Sequence, residues 1–212
     1  MRRTAAALAL AVAAAAAPTA ADPPARVVST NLCTDQLAML VAAPGQLVSV
    51  SAVARDPVAS AMAREAAAYP VNHGTAEEIL LLAPDLVLAG AYGRPDTRAM
   101  LDRLGIRVEA FPIEASFDDV RANLARMGAA LGREARAAEL VAAMDATLAA
   151  VPPPEGGARP RAALFYANAY TSGAGTLADA ILTAAGFANV ASERGVAGLA
   201  RLPLEALVRA DP

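Results

Sequence analysis

Short apolar runs alternate with helical stretches along this chain, and that alternation restricts the possible folds more than any other feature. Apolar runs bounded by turn residues predict strands, and the stretches between them carry apolar residues at helical spacing. The predicted strands of the first half are 26–29, 47–50, 86–88 and 107–111, and the predicted helices are 34–41, 75–82 and 98–104. Strands separated by helices pair in parallel, so the expected fold class is α/β with mostly parallel sheets.

A second α/β unit is predicted near the end of the chain because the same pattern restarts there. A long helical segment, residues 116–151, is interrupted at Gly132 and is followed by a run of three prolines. The elements predicted after it are a strand at 161–166 and helices at 177–185 and 204–210. We therefore expect two lobes, residues 22–115 and 152–212, joined by one long backbone helix within residues 116–151.

A spacing that occurs twice in the sequence predicts that the second lobe is incomplete. Glu77 stands seven positions before Pro84, and Glu205 stands seven positions before Pro212. The first proline introduces a predicted strand, whereas the sequence given ends at the second proline. We therefore expect the second lobe to lack its last strand, and a non-functional fragment is one alternative to a working protein.

The first 21 residues have the layout of a secretory signal peptide. Two arginines precede an Ala/Leu/Val run, and Thr19 and Ala21 suit the −3 and −1 positions of a cleavage site. The run is shorter than the roughly 20 apolar residues that a membrane-spanning helix needs. Cys33, the only cysteine, lies too far beyond this run to carry a lipid. The expected location is therefore the periplasm, as an unanchored monomer.

The composition argues against two broad classes of function. The formal net charge is −3 and no run of basic residues follows the predicted signal peptide, so a nucleic-acid partner is not expected. No nucleophile stands near a base, and the single histidine, His73, has no second histidine for a metal site and is interpreted as a turn residue. We expect no catalytic residues, no resident cofactor and no protein-held metal, with a periplasmic α/β enzyme of unknown reaction as the alternative.

Two runs of residues resemble the iron-siderophore, haem and vitamin B12 class of periplasmic substrate-binding proteins. The first is VVSTNLCTD at 27–35, and the second is EEILLLAPDLVL at 77–88. The segments 171–186 and 204–212 resemble the start of the second lobe of that family. The resemblance implies that a ferric siderophore, haem or corrinoid is held in a cleft between two lobes and delivered to an ABC permease/ATPase complex in the inner membrane.

The resemblance also implies where such a protein docks on its permease. In that family a carboxylate on each lobe contacts arginines of the permease, and Glu77 and Glu205 match the two positions. The alternative is that both glutamates only stabilise the N-termini of their helices, where the helix dipole favours negative charge. The matched pair on separate lobes favours docking.

Candidate ligand contacts follow from the rule that parallel sheets bind ligands beside the carboxyl ends of their strands. Arg55 and Arg94 are suited to carboxylates of a siderophore or haem, or to corrinoid amides. Tyr92 and Tyr170 are suited to stacking on a macrocycle or to offering a phenolate to iron. The full set of predicted ligand contacts is Asn31, Leu32, Cys33, Thr34, Arg55, Tyr92, Arg94, Asn168, Tyr170 and Thr171.

Overall fold

The computed structural model describes residues 22–152 and 159–212. The predicted signal peptide, residues 1–21, lies outside the described residues. None of the helices in the described ranges combines the length and the apolar character needed to cross a membrane.

Five parallel strands form the first sheet, in the order β3-β2-β1-β4-β5. They are β1 (Val27–Ser29), β2 (Leu47–Ser51), β3 (Val71–Asn72), β4 (Leu86–Gly90) and β5 (Arg107–Phe111). The central strands β1 and β4 read as continuous apolar runs because both faces of the sheet are covered. The α/β class and the mostly parallel sheet are thus confirmed, and β3 is a strand that the sequence pattern did not predict.

Helices cover the two faces of this sheet. They are α1 (Leu32–Val41), α2 (Ala63–Ala66), α3 (Ala76–Leu81), α4 (Pro95–Arg103) and α5 (Phe117–Leu131), with a 3-10 turn at Ala52–Arg55. Successive strand residues point to opposite faces, so Val27 packs in the cluster beneath α1 and α5, whereas Val28 packs in the cluster with Ile79 and Leu101 beneath α3 and α4. The result is a three-layer arrangement.

The long helical segment is two helices that lie side by side. Gly132 takes a left-handed conformation (φ 65°) and ends α5, and α6 (Glu134–Ala149) then runs back along it. At the tight end, a Cβ on Gly128 would come within 2.7 Å of the Ala137 Cβ. Further along, Arg121 donates to Asp145. The break at Gly132 is confirmed, whereas the lobe boundaries and the bridging role of this segment stay predictions.

The remaining part of the chain forms two small pairs of strands. β6 (Arg161–Ala162) pairs in parallel with β8 (Ala188–Asn189), and β7 (Tyr170–Ser172) pairs antiparallel with β9 (Leu199–Arg201). The helices here are α7 (Leu177–Ala184), α8 (Val190–Glu193) and α9 (Leu204–Ala210).

The strand predicted at 161–166 is wrong in length, because only its first two residues pair. Asn168 and Ala169 have positive φ angles of 59° and 60°, which turn the chain back on itself. The Tyr166 N–H then donates to the Tyr170 carbonyl. β7 follows directly, in a stretch for which the sequence pattern predicted neither a strand nor a helix.

Candidate functional site

A cavity of about 670 Å³ lies at the carboxyl ends of β1, β4 and β5. Its apolar part includes Ile79, Val87 and Leu101, which belong to the core cluster beneath α3 and α4. Its polar part comes from the segments that follow the three strands and from the first turn of α4. The volume falls within the range of about 300–1,000 Å³ that is typical of small-molecule sites.

Four of the predicted ligand contacts line this cavity: Asn31, Cys33, Tyr92 and Arg94. Asn31 caps α1 by accepting a hydrogen bond from the Cys33 N–H at 3.0 Å. Gly90 lies close to the Asn31 side chain, since a Cβ there would lie 3.1 Å from the Asn31 amide nitrogen. Tyr92 is 85% exposed at the cavity edge. Ligand contact by these residues stays a prediction.

The strand-end rule placed Leu32 and Thr34 in a loop, but the structure places both residues in a helix. α1 begins at Leu32, so both lie in its first turn. The Thr34 side chain is fully buried, where its hydroxyl donates to the Asn31 carbonyl (2.9 Å) and shares a hydrogen bond with Ser29 Oγ (2.8 Å). Leu32 packs against the core. The loop is shorter than predicted because only Thr30 separates the strand end from the cap residue Asn31.

Arg55 lies outside the cavity lining and is held by its own neighbourhood. Its guanidinium donates to the carbonyl oxygens of Ala66, Ala67 and Tyr69, at the end of α2 and just beyond it. The arginine therefore braces the connection between α2 and β3. Any contact of Arg55 with a ligand stays a prediction.

The three candidates from the second part of the chain do not line this cavity. Thr171 is fully buried and donates to the Leu164 carbonyl at 2.7 Å. Tyr170 lies in β7, with the Arg201 guanidinium 5.5 Å from its ring centre, a cation–π contact. Asn168 occupies the left-handed turn before β7. Any role of these residues toward a ligand stays a prediction.

The sequence analysis missed several residues that line the cavity, notably His73, Arg98 and Glu114. Glu114 follows β5, so the strand-end rule would have found it had the rule been applied to that strand. His73 follows β3, whose two residues are too few to show a strand pattern. Its Nδ1 lies 2.9 Å from Glu78 Oε1, and its backbone N–H donates to Glu78 Oε2 at 2.6 Å. These hydrogen bonds from His73 lower the pKa of the Glu78 carboxyl group.

A buried carboxyl group, that of Asp35, lies in the first turn of α1. Asp35 is fully buried and accepts hydrogen bonds from the Ser51 N–H (3.0 Å) and the Ser51 hydroxyl (2.5 Å), so it joins α1 to the end of β2. Removal from water raises its pKa above the ordinary value, and this outweighs the lowering by the hydrogen bonds.

We expect the Asp35→Asn variant to be stabilised relative to the native protein, and more so at pH 8 than at pH 4. A carboxyl group whose pKa is raised by folding contributes stability below its unfolded pKa and loses it as the pH rises through the folded pKa. Asparagine does not ionise, and it can accept from the Ser51 N–H through its amide oxygen and donate to the Ser51 hydroxyl through its NH2 group. Urea unfolding of both proteins from pH 4 to pH 8 measures the difference.

The control for this experiment is Asp102→Asn, which removes the same charge from an exposed position on α4. A stability difference between Asp35→Asn and the native protein that stays constant across the pH range would contradict the prediction.

The two predicted docking residues are exposed and occupy equivalent helix positions. Glu77 is the second residue of α3, and Glu205 is the second residue of α9. Neither carboxylate forms an ion pair within the described ranges. Both charges therefore remain available at the surface of this part of the chain.

Residues 27–212 match the family described as periplasmic binding protein. The chain belongs to the periplasmic binding protein family. This family consists of substrate-binding proteins of the periplasm and not of enzymes.

Individual relatives agree with this assignment. A cobalamin-binding protein of Halobacterium salinarum (strain ATCC 29341 / DSM 671 / R1) is 34% identical over 140 residues, which are 64% of this periplasmic binding protein and 38% of the relative. The chain thus matches well under two thirds of that relative's length. The periplasmic haem-binding protein HutB of Vibrio cholerae has a similar fold, with 21% identity, a TM-score of 0.74 and coverage of 88% of this chain and 73% of HutB.

A further solved structure is similar at slightly higher identity. The periplasmic haem-binding protein BhuT in complex with two haems is 27% identical, with a TM-score of 0.68 and coverage of 88% of this chain and 74% of BhuT. Two-lobed periplasmic binding proteins therefore share the fold of this chain.

Proposed function

We propose that this periplasmic binding protein captures a corrinoid, haem or ferric siderophore in the cavity at the ends of β1, β4 and β5, and delivers it to an ABC importer in the inner membrane. The observation that carries the proposal is the position of the cavity, since open parallel sheets bind their ligands at this edge. The 34% identical relative named for cobalamin favours a corrinoid, and the 27% identical structure with two haems favours haem.

The side chains at the cavity have chemistry suited to a metal-containing ring. Tyr92 offers an exposed aromatic face at the edge. His73 is oriented through Nδ1 by Glu78, which is the way carboxylates orient histidines that ligate metals through the other nitrogen. Within residues 22–152 and 159–212, Nε2 of His73 has no hydrogen-bond partner. This nitrogen is therefore free to coordinate a metal at the centre of a ring.

Titration of the purified protein with cobalamin, haemin and ferric siderophores tests the proposal. We expect one of them to bind saturably with a Kd of about 1 µM or tighter, seen in the ligand's absorbance and in tyrosine fluorescence. We expect Tyr92→Ala to weaken that binding by roughly tenfold, because it removes a contact surface worth about 1 kcal/mol or more.

Val58→Ala is the matched control, since Val58 is 94% exposed and does not line the cavity. The proposal fails if a folded sample binds none of these ligands, or if Tyr92→Ala and Val58→Ala bind as tightly as the native protein.

A further inference from the structure

Two arginines of the α4 segment line the cavity without an acidic partner. Arg94 occupies the N-cap position of α4, Arg98 follows four positions later, and both line the cavity. Neither belongs to any ion pair in the part of the chain that the structure describes. Of these two arginines, only Arg94 was among the predicted ligand contacts.

The other charges at the cavity do not neutralise this pair. Glu114 lines the cavity, and its carboxylate accepts a hydrogen bond from the Asn123 amide at 2.6 Å. His73 is engaged with Glu78. The lining residues thus include two guanidiniums and one carboxylate. Asp96, in the first turn of α4, is exposed and lies outside the lining, so it offsets only part of this positive charge.

The backbone of α4 adds to this positive potential. No side chain caps the start of α4 in the described residues, and the Thr97 hydroxyl donates instead to the Gly74 carbonyl at 3.1 Å. The first turn of a helix presents unpaired N–H groups and the positive end of the helix dipole. Pro95 and Thr97 of this turn line the cavity, so the uncapped end and the two arginines act on the same space.

We infer that the ligand carries carboxylates or another anionic group at its edge, and that Arg94 and Arg98 select it over a neutral analogue with the same ring. Guanidinium groups bind carboxylates and phosphates through paired hydrogen bonds, and they are more easily desolvated than an ammonium group. The inference rests on the proposed function, because it specifies the ligand class for the same cavity.

Acid and neutral forms of one ring provide the test. The pairs are dicyanocobyrinic acid with dicyanocobinamide, and haemin with haemin dimethyl ester. For the ring that binds, we expect the acid form to bind roughly tenfold or more tightly than the neutral form at low salt. We expect this ratio to shrink as salt is raised to about 1 M, because salt screens exposed charges.

Variants of α4 assign the effect to residues. Arg98→Gln and Arg94→Gln are each expected to weaken binding of the acid form by roughly fivefold to tenfold and to leave the neutral form unchanged. Arg103→Gln, on the same helix but outside the cavity lining, is the control and should leave both forms unchanged.

Two results would overturn the inference. If native protein binds both forms of a ring equally, the selection by charge is wrong, and the proposed function stands. If a folded sample binds neither form of either ring, the inference fails together with the capture of macrocycles, while binding of a ferric siderophore in the first titration would leave the wider proposal in place.

Discussion

Replacing Gly173 with alanine is expected to destabilise the region around β7 and β9 by about 3 kcal/mol or more. The new Cβ would lie 2.1 Å from the carbonyl oxygen of Val196 and 2.6 Å from its carbonyl carbon. That oxygen already accepts a hydrogen bond from the Ala174 N–H at 2.9 Å, and the Gly173 N–H donates to Gly198 at 2.9 Å. The backbone cannot move away from the Cβ without breaking these hydrogen bonds.

The midpoint of urea unfolding measures this effect, with amide exchange in β7 and β9 as a local readout. Gly45→Ala is the matched control. Gly45 has φ +80° but no atom within 4 Å of the added Cβ, so only its conformational cost of about 1 kcal/mol is expected. Equal losses of stability in the two variants would show that the close approach of Gly173 to Val196 is not the constraint.

The first sheet could be predicted because its strands carry a strong local signal. β1, β2 and β4 are mostly apolar and lie between turn residues, and β5 combines three apolar residues with two charged ones. α5 begins at Phe117, after the N-cap residue Ser116, whose hydroxyl accepts from the Asp119 N–H. β3 and β8 have two residues each, which is too short for any periodicity. Their pairing depends on neighbours distant in sequence, so no local pattern reveals them.

The residues of the candidate site could be predicted where they follow a long strand. They could not be predicted where a side chain forms hydrogen bonds with residues distant in the sequence. The strand-end rule found Asn31, Tyr92 and Arg94. It also named Arg55, which does not line this cavity and whose guanidinium is held by carbonyls 11 to 14 residues further along the chain. It placed Thr34 in a loop, although an asparagine two residues after a strand is itself a helix-cap signal that could have moved the start of α1.

Reversing both exposed carboxylates, Glu77→Arg with Glu205→Arg, is expected to reduce ligand uptake by about tenfold or more while leaving ligand affinity unchanged. The prediction rests on the proposed delivery to an ABC importer, in which each carboxylate meets an arginine of the permease. Like charges opposed at an interface cost several kcal/mol, whereas loss of one exposed ion pair costs about 1 kcal/mol or less. Neither residue lines the cavity. An unchanged Kd for the ligand therefore shows that a variant still folds and captures the ligand, separately from its delivery to the importer.

Uptake by cells that carry the importer, measured beside the Kd of each purified variant, tests this prediction. Glu134→Arg is the matched control, because Glu134 is an exposed glutamate in the first turn of α6 and loses the same favourable interaction with a helix N-terminus. If Glu134→Arg lowers uptake as much as the double reversal does, the glutamates act through helix stability or net charge. If the double reversal leaves uptake intact, Glu77 and Glu205 do not dock on a permease and serve only their own helices.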